Sequence, residues 1–300
     1  MRSGPGAEAP GPPSDIAVAA QLRDELTMLA QRFGWEQPVE VGTVDWYADR
    51  DDGTAVRMRT YIPTSLPSTA VLLFHGGGFV AGSIDLYDPV ARGLAYFGDV
   101  IVHAVDYRLA PEHSAADALA DGLTAWRACC GPDTPGWVTG APGAVVGDSA
   151  GATLAFQLCQ SLDDDGPAAL ALLYLLLDLT REAGALQTDD RSAQQEWCLS
   201  HAFESDEERL LASALHADPS SLPATVLLVT TELCPLRTDA LRFRQKLLAA
   251  GRSCLFSDVA GAPHSFLNMP RLFSTQVRST LELVGETARA MSVETAGQCQ

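Results

Sequence analysis

Apolar positions along this chain follow two alternating rhythms. Leu22, Leu26, Leu29 and Phe33 recur at helical spacing and Gly34 follows as a stop, which predicts a helix over 15–33. Strands follow at 39–47 and 55–61, with Asp51-Asp52-Gly53 between them as a hairpin turn. Further on, short and mainly apolar runs at 71–74, 100–105, 144–146, 170–177, 226–230 and 255–259 read as buried strands. Helical patterns separate them near 88–97, 115–130, 150–162 and 239–250, and a last helix is predicted over 272–290. Strand–helix alternation with strands apolar on both faces implies an α/β fold, a mostly parallel eight-stranded sheet covered by helices on each side.

Two segments depart from the rhythm. Residues 1–14 are rich in Gly, Pro and Ala without the apolar core of a signal peptide, and read as a disordered tail ahead of a single domain over 15–300. Residues 181–217 are polar and carry the helix start Ser205-Asp206-Glu207-Glu208 before Leu210 and Leu211. They read as a helical insertion between two strands, placed to form a small lid together with residues 15–38.

Charge narrows the partners. The formal net charge of −18 argues against nucleic acid and against an anionic membrane, which both select basic patches. The longest apolar run, 168–177, is half the roughly 20 residues that a bilayer span needs. The seven cysteines are odd in number and show no framework spacing, which favours a reducing, cytoplasmic setting. A small molecule is the expected partner, and a homodimer is compatible with the sequence. No His, Cys and carboxylate cluster has metal-ligand spacing, so neither metal nor cofactor is implied.

Chemistry enters at Gly147-Asp148-Ser149-Ala150-Gly151, a G-x-S-x-G pattern between a predicted strand and an apolar helix. A serine on such a turn is held in strained geometry, with its hydroxyl at a helix N-terminus where developing negative charge is favoured. His75-Gly76-Gly77-Gly78-Phe79 directly follows another strand. Its glycines can expose backbone N–H groups to one point, and with the N–H of Ala150 those of Gly77 and Gly78 would form an oxyanion hole. Taken alone, each motif could be a glycine-rich turn; together they point to acyl chemistry. His75, Phe79 and Asp148 are the candidates for lining a substrate pocket.

These segments, with Asp106-Tyr107-Arg108-Leu109-Ala110-Pro111-Glu112, Asp178-Leu179-Thr180, Leu222-Pro223-Ala224, Cys234-Pro235-Leu236-Arg237 and Pro263-His264-Ser265-Phe266, occur in the order that resembles the hormone-sensitive-lipase-like branch of the α/β-hydrolases, a group of bacterial esterases and plant carboxylesterases. The resemblance covers roughly 71–269. It implies an α/β-hydrolase fold, a Ser149 nucleophile, His264 as its base, and a lid built from the two segments above.

The resemblance fails at one position. The family usually carries Asp-Pro-Leu-Arg where this chain has Cys234-Pro235-Leu236-Arg237. A carboxylate there fixes the histidine tautomer and stabilises the imidazolium, whereas a thiol is a weak hydrogen-bonding partner without full charge. Glu232, Asp239 or Asp258 could substitute, with Glu232 first by proximity. Cys234 could itself be a nucleophile, although a small apolar filler beside His264 is the simpler reading. The expected activity is hydrolysis of a small, fairly apolar, neutral carboxylic ester, weakened by the missing acid. Two alternatives stand beside it: a non-hydrolytic dehydration, cyclisation or rearrangement in small-molecule biosynthesis, and a ligand-binding protein on the same scaffold.

Overall fold

The computed structural model describes residues 14–35, 41–138, 140–162, 165–180 and 190–298. Strands β1 (Val41–Asp49), β2 (Ala55–Pro63), β3 (Ala70–Phe74), β4 (Ile101–Asp106), β5 (Ala144–Asp148), β6 (Ala169–Leu173), β7 (Thr225–Thr231) and β8 (Ser253–Val259) form one sheet in the order β1-β2-β4-β3-β5-β6-β7-β8. β1, β2 and β4 pair antiparallel, and every pairing from β4 to β8 is parallel. The central strands β3, β5, β6 and β7 are buried at every position, which explains why their middles are continuous apolar runs rather than alternating.

The described helices are α1 (Asp15–Phe33), α2 (Asp88–Gly98), α3 (Ala115–Cys129), α4 (Ala150–Ser161), α5 (Asp190–Ala202), α6 (Asp206–Ala212), α7 (Arg237–Ala249) and α8 (Ser274–Gln298). They cover both faces of the sheet. α2 packs along α8, α3 along α4, and Phe156 of α4 meets Phe243 of α7 edge to face at 6.0 Å. None of the described helices is long and apolar enough to cross a membrane.

The structure corrects two boundaries. Ser14 belongs to α1 as its N-cap, its hydroxyl accepting the Ala17 N–H at 3.3 Å, while the rest of the expected tail lies outside the described residues. So do 36–38 and 181–189 of the expected lid. The apolar run at 170–177 is not all strand. β6 ends at Leu173 because Tyr174 turns out at φ 39°, donating its N–H to the Val229 carbonyl at 2.7 Å, and Leu175–Leu177 continue as a buried loop.

One polar anchor in the core fixes the turn after β4. The fully buried Asp121 carboxylate of α3 accepts the Arg108 N–H at 2.9 Å and pairs with the guanidinium groups of Arg108 and Arg50 at 3.0 and 2.7 Å. The adjacent Tyr107 hydroxyl donates to the His75 carbonyl at 2.6 Å, and its ring stacks on His75 at 4.3 Å. The anchor therefore reaches the glycine loop after β3. Asp121→Ala leaves two partly buried cations short of a partner and is expected to cost about 3 kcal/mol of stability, read as a lower urea midpoint at unchanged m-value.

Candidate active site

Ser149 sits between β5 and α4 at φ 51° and ψ −119°, a conformation an L-residue holds only when its surroundings impose it. The restraints are visible. Its N–H donates to the Leu173 carbonyl at 2.9 Å, and its carbonyl accepts from Ala152 and Thr153. The small neighbours are required. A Cβ on Gly147 would lie 2.2 Å from the Gly151 carbonyl oxygen, and one on Gly151 would lie 2.3 Å from that of Phe74. β5, α4 and β3 can close on one another only where side chains are missing.

The Ser149 Oγ is 2.9 Å from the His264 Nε2. His264 comes from the loop after β8, 115 residues further along. Its ring rests on the edge of Tyr174 at 5.0 Å and is followed by a buried 3₁₀ turn, Phe266–Asn268. On the opposite side of the imidazole the Cys234 Sγ faces Nδ1 at 3.3 Å. Burial pushes the Cys234 thiol up from its ordinary value, so it is neutral at pH 7. The three carboxylates nearest in sequence have other engagements. Glu232 is exposed and accepts the Gly261 N–H at 2.8 Å, Asp258 pairs with Arg237, and Asp239 with Arg242.

Gly77 and Gly78 take φ of +129° and +65°, so the loop turns in a way that a larger residue would resist. No backbone acceptor among the described residues takes either N–H. The Ala150 N–H lies at the first position of α4, where no helical carbonyl can receive it. Gly77, Gly78, Ser149 and His264 all border one cavity of about 860 Å³. Its walls come from Leu22, Leu26 and Leu29 of α1, from Cys198 and Leu199 of α5, and from Leu176 and Leu236.

His75, Phe79 and Asp148 are not among the residues bordering that cavity; they lie behind it. Phe79 is buried against Phe203 of the segment after α5. His75 is buried under Tyr107, and burial holds it below the ordinary histidine value, keeping it neutral. Asp148 is turned into the core because the bend that exposes Ser149 sends the preceding side chain inward. Its Oδ1 accepts the Gly76 N–H at 2.8 Å, and its Oδ2 accepts the hydroxyls of Tyr87 and Tyr174, both at 3.1 Å. The Asn268 amide donates in turn to the Tyr87 oxygen at 3.0 Å. One carboxylate thus joins the glycine loop, the serine turn, the tyrosine beneath His264 and the turn that follows His264. Tyr87, Tyr174 and Asn268 carry no motif, although Tyr174 is conspicuous as the polar interruption of an apolar run.

A reactive-type serine on a strand–helix turn, facing an imidazole and backbone donors on a mostly parallel sheet, defines the class of α/β-hydrolases with a serine centre. The chain belongs to this family: the family model described as the alpha/beta hydrolase fold matches residues 71–268, and the relatives place the chain in the carboxylesterase-like, hormone-sensitive-lipase-like branch. It is 35% identical over 236 residues to Esterase LipI of Mycobacterium tuberculosis, covering 72% of each chain. It is 32% identical over 261 residues to Carboxylesterase NlhH of the same organism, covering 80% of this chain and 79% of that one. The solved hyperthermophilic esterase of Pyrobaculum calidifontis superposes with a TM-score of 0.80 at 27% identity, over 93% of this chain and 94% of that one.

Burial raises Asp148 to about 6, outweighing the hydrogen bonds that pull it down. A carboxylate with a raised folded-state pKa holds its proton more tightly folded than unfolded. Its contribution to stability is present below about pH 4 and lost as pH rises through about 6. Thermal midpoints should therefore contain a component that declines over that interval and is missing in Asp148→Asn. The amide also puts an NH₂ against either the Tyr87 and Tyr174 hydroxyls or the Gly76 N–H, so the three bonds that the carboxylate accepts cannot all be kept. The same variant is expected to lose on the order of 10- to 100-fold in kcat on an ester, measured at the pH optimum of the parent.

Proposed function

We propose that this protein is a serine carboxylesterase acting on a small carboxylic ester with an apolar body, and that Cys234 tempers its catalysis. The observation that carries the reading is the 2.9 Å contact between the Ser149 Oγ and the His264 Nε2 beside the N–H groups of Gly77, Gly78 and Ala150. Ser149 attacks the ester carbonyl while His264 takes its proton. The backbone donors hold the oxyanion, which they can do without reorganising. His264 returns the proton to the departing alcohol, leaving an acyl-serine. It then activates water, and the acid leaves. α1 and α5 cover the cavity and supply its apolar wall.

Cys234 stands where an acid would select the tautomer. A neutral thiol can donate S–H to Nδ1, which puts the imidazole proton on Nε2 and leaves no base for Ser149. It can also accept N–H from Nδ1, weakly, which is the productive state. The imidazolium formed during attack gains little from it. That feature favours a second reading, a non-hydrolytic step on an acyl compound that asks less of His264.

A fluorophosphonate probe is expected to label the protein and not Ser149→Ala, and p-nitrophenyl butyrate to be turned over slowly. Labelling without turnover supports the non-hydrolytic reading, and absence of both overturns the enzyme. Cys234→Asp is expected to raise kcat by about 10²–10⁴-fold, the scale on which a triad carboxylate acts. A fall or no change would show that another group already holds Nδ1. In the parent, kcat/KM should keep rising above pH 9 as the thiol ionises, a limb that the alkaline profile of Cys234→Ser should lack.

A further inference from the structure

The cavity is not uniformly apolar. On α1, Leu22, Leu26 and Leu29 present one face to it, and Glu25 falls on that same face by helical spacing. Across the opening, α5 presents Gln194 and Gln195 outside Cys198 and Leu199. The space thus runs from the buried Ser149, through leucine, to an exposed rim holding Glu25 and Gln194. Glu25 is the one carboxylate bordering it, and no Lys or Arg does so among the described residues.

Among the described residues the hydrogen-bond partners of Glu25 are neutral. The Gln21 amide donates to Oε1 at 2.9 Å, and the Gln194 amide reaches Oε2 at 3.5 Å, the limit of a hydrogen bond. The nearby cation in sequence, Arg23, is committed elsewhere: its guanidinium binds Glu112 through both Nη atoms and the carbonyls of Val80 and Ala110. Among the described residues nothing cationic pairs with Glu25, so it sets a negative charge at the mouth of a leucine-lined cavity, on a chain whose net charge of −18 draws cations toward it. A positive group arriving there displaces one weak amide contact.

We propose that Glu25 reads a positive charge on the substrate, so that the preferred ester carries an ammonium group at the end distal to the scissile bond, with an apolar spacer between them. This rests on the esterase reading and adds a charge to the substrate class that the leucine wall alone would select. A carboxylate or phosphate at the same end is repelled.

The test uses matched esters that differ only in N⁺ for C. Butyrylcholine is compared with 3,3-dimethylbutyl butyrate for a charge on the alcohol. Ethyl 4-(trimethylammonio)butyrate is compared with ethyl 5,5-dimethylhexanoate for a charge on the acyl group. Hydrolysis is followed by acid release at constant pH. In the parent the cationic member of at least one pair should be favoured in kcat/KM by about two- to fivefold, the scale of an exposed ion pair, and less so at high salt. Glu25→Gln should bring that ratio to about one, whereas Asp24→Asn, an exposed change of equal charge on the far side of α1, should not. Ratios near one in the parent, or ratios that Glu25→Gln leaves unchanged in both pairs, overturn the proposal while neutral esters are still cleaved.

Failure of every ester would instead sink the esterase reading. In that case Ser149→Ala still reports on Glu25. Calorimetry should then give tighter binding of the cationic member in one pair, abolished by adding Glu25→Gln. Equal affinities there overturn the proposal independently of turnover.

Discussion

The Asp148 carboxylate is where the geometry of the site is set. Ser149, the glycine loop and His264 come from three separate connections of the sheet, after β5, β3 and β8. Nothing in strand pairing alone aligns their tips. Asp148 does so through the Gly76 N–H, the Tyr174 hydroxyl and the Tyr87 hydroxyl, with Asn268 closing the ring from beyond His264. The low dielectric around a fully buried carboxylate makes each of these bonds strong and each lost bond costly. The same burial raises its pKa to about 6. Rigidity at the site and a cost in stability near neutral pH thus have a single source.

Cys234 meets the outer edge of that arrangement, its Sγ facing the His264 Nδ1 at 3.3 Å on the side of the ring opposite Ser149. A neutral, buried thiol brings no formal charge to that contact, whereas a carboxylate in its place would supply position and charge together.

The division between what the residues announced and what they concealed follows from the physics of each feature. The Gly147–Gly151 turn was readable because its chemistry and its packing both constrain residue type: a Cβ at either end meets backbone within 2.3 Å. The central strands were readable because burial on both faces leaves a continuous apolar run. The end of β6 was not, since Leu175–Leu177 are as apolar as a strand and the departure is caused by the backbone of Tyr174. His75, Phe79 and Asp148 lie behind the cavity because they are adjacent to its bordering residues only along the chain: a sharp turn that presents one side chain to the cavity hides the next. The leucines of α1 were visible as a periodic face. Glu25 shares that face but is not marked by apolar periodicity, because a polar residue carries no such signal.

The two helices that cover the cavity differ in how they are held. α1 is fixed by Arg23, which spans the Val80 carbonyl just beyond the glycine loop, the Ala110 carbonyl and the Glu112 carboxylate. Withdrawing α1 would strip four hydrogen bonds from one guanidinium, so its leucine face is part of the scaffold rather than a loose cover. α5 rests on the opposite side through Cys198, whose sulfur would lie 3.3 Å from a Cβ at Gly78. Among the described residues it meets α1 through the Gln194–Glu25 contact and the partly exposed His201–Asp15 pair. Those ties are solvent-facing and weak. The side of the opening that carries Glu25 is thus the side that Arg23 ties to the glycine loop and to the turn after β4.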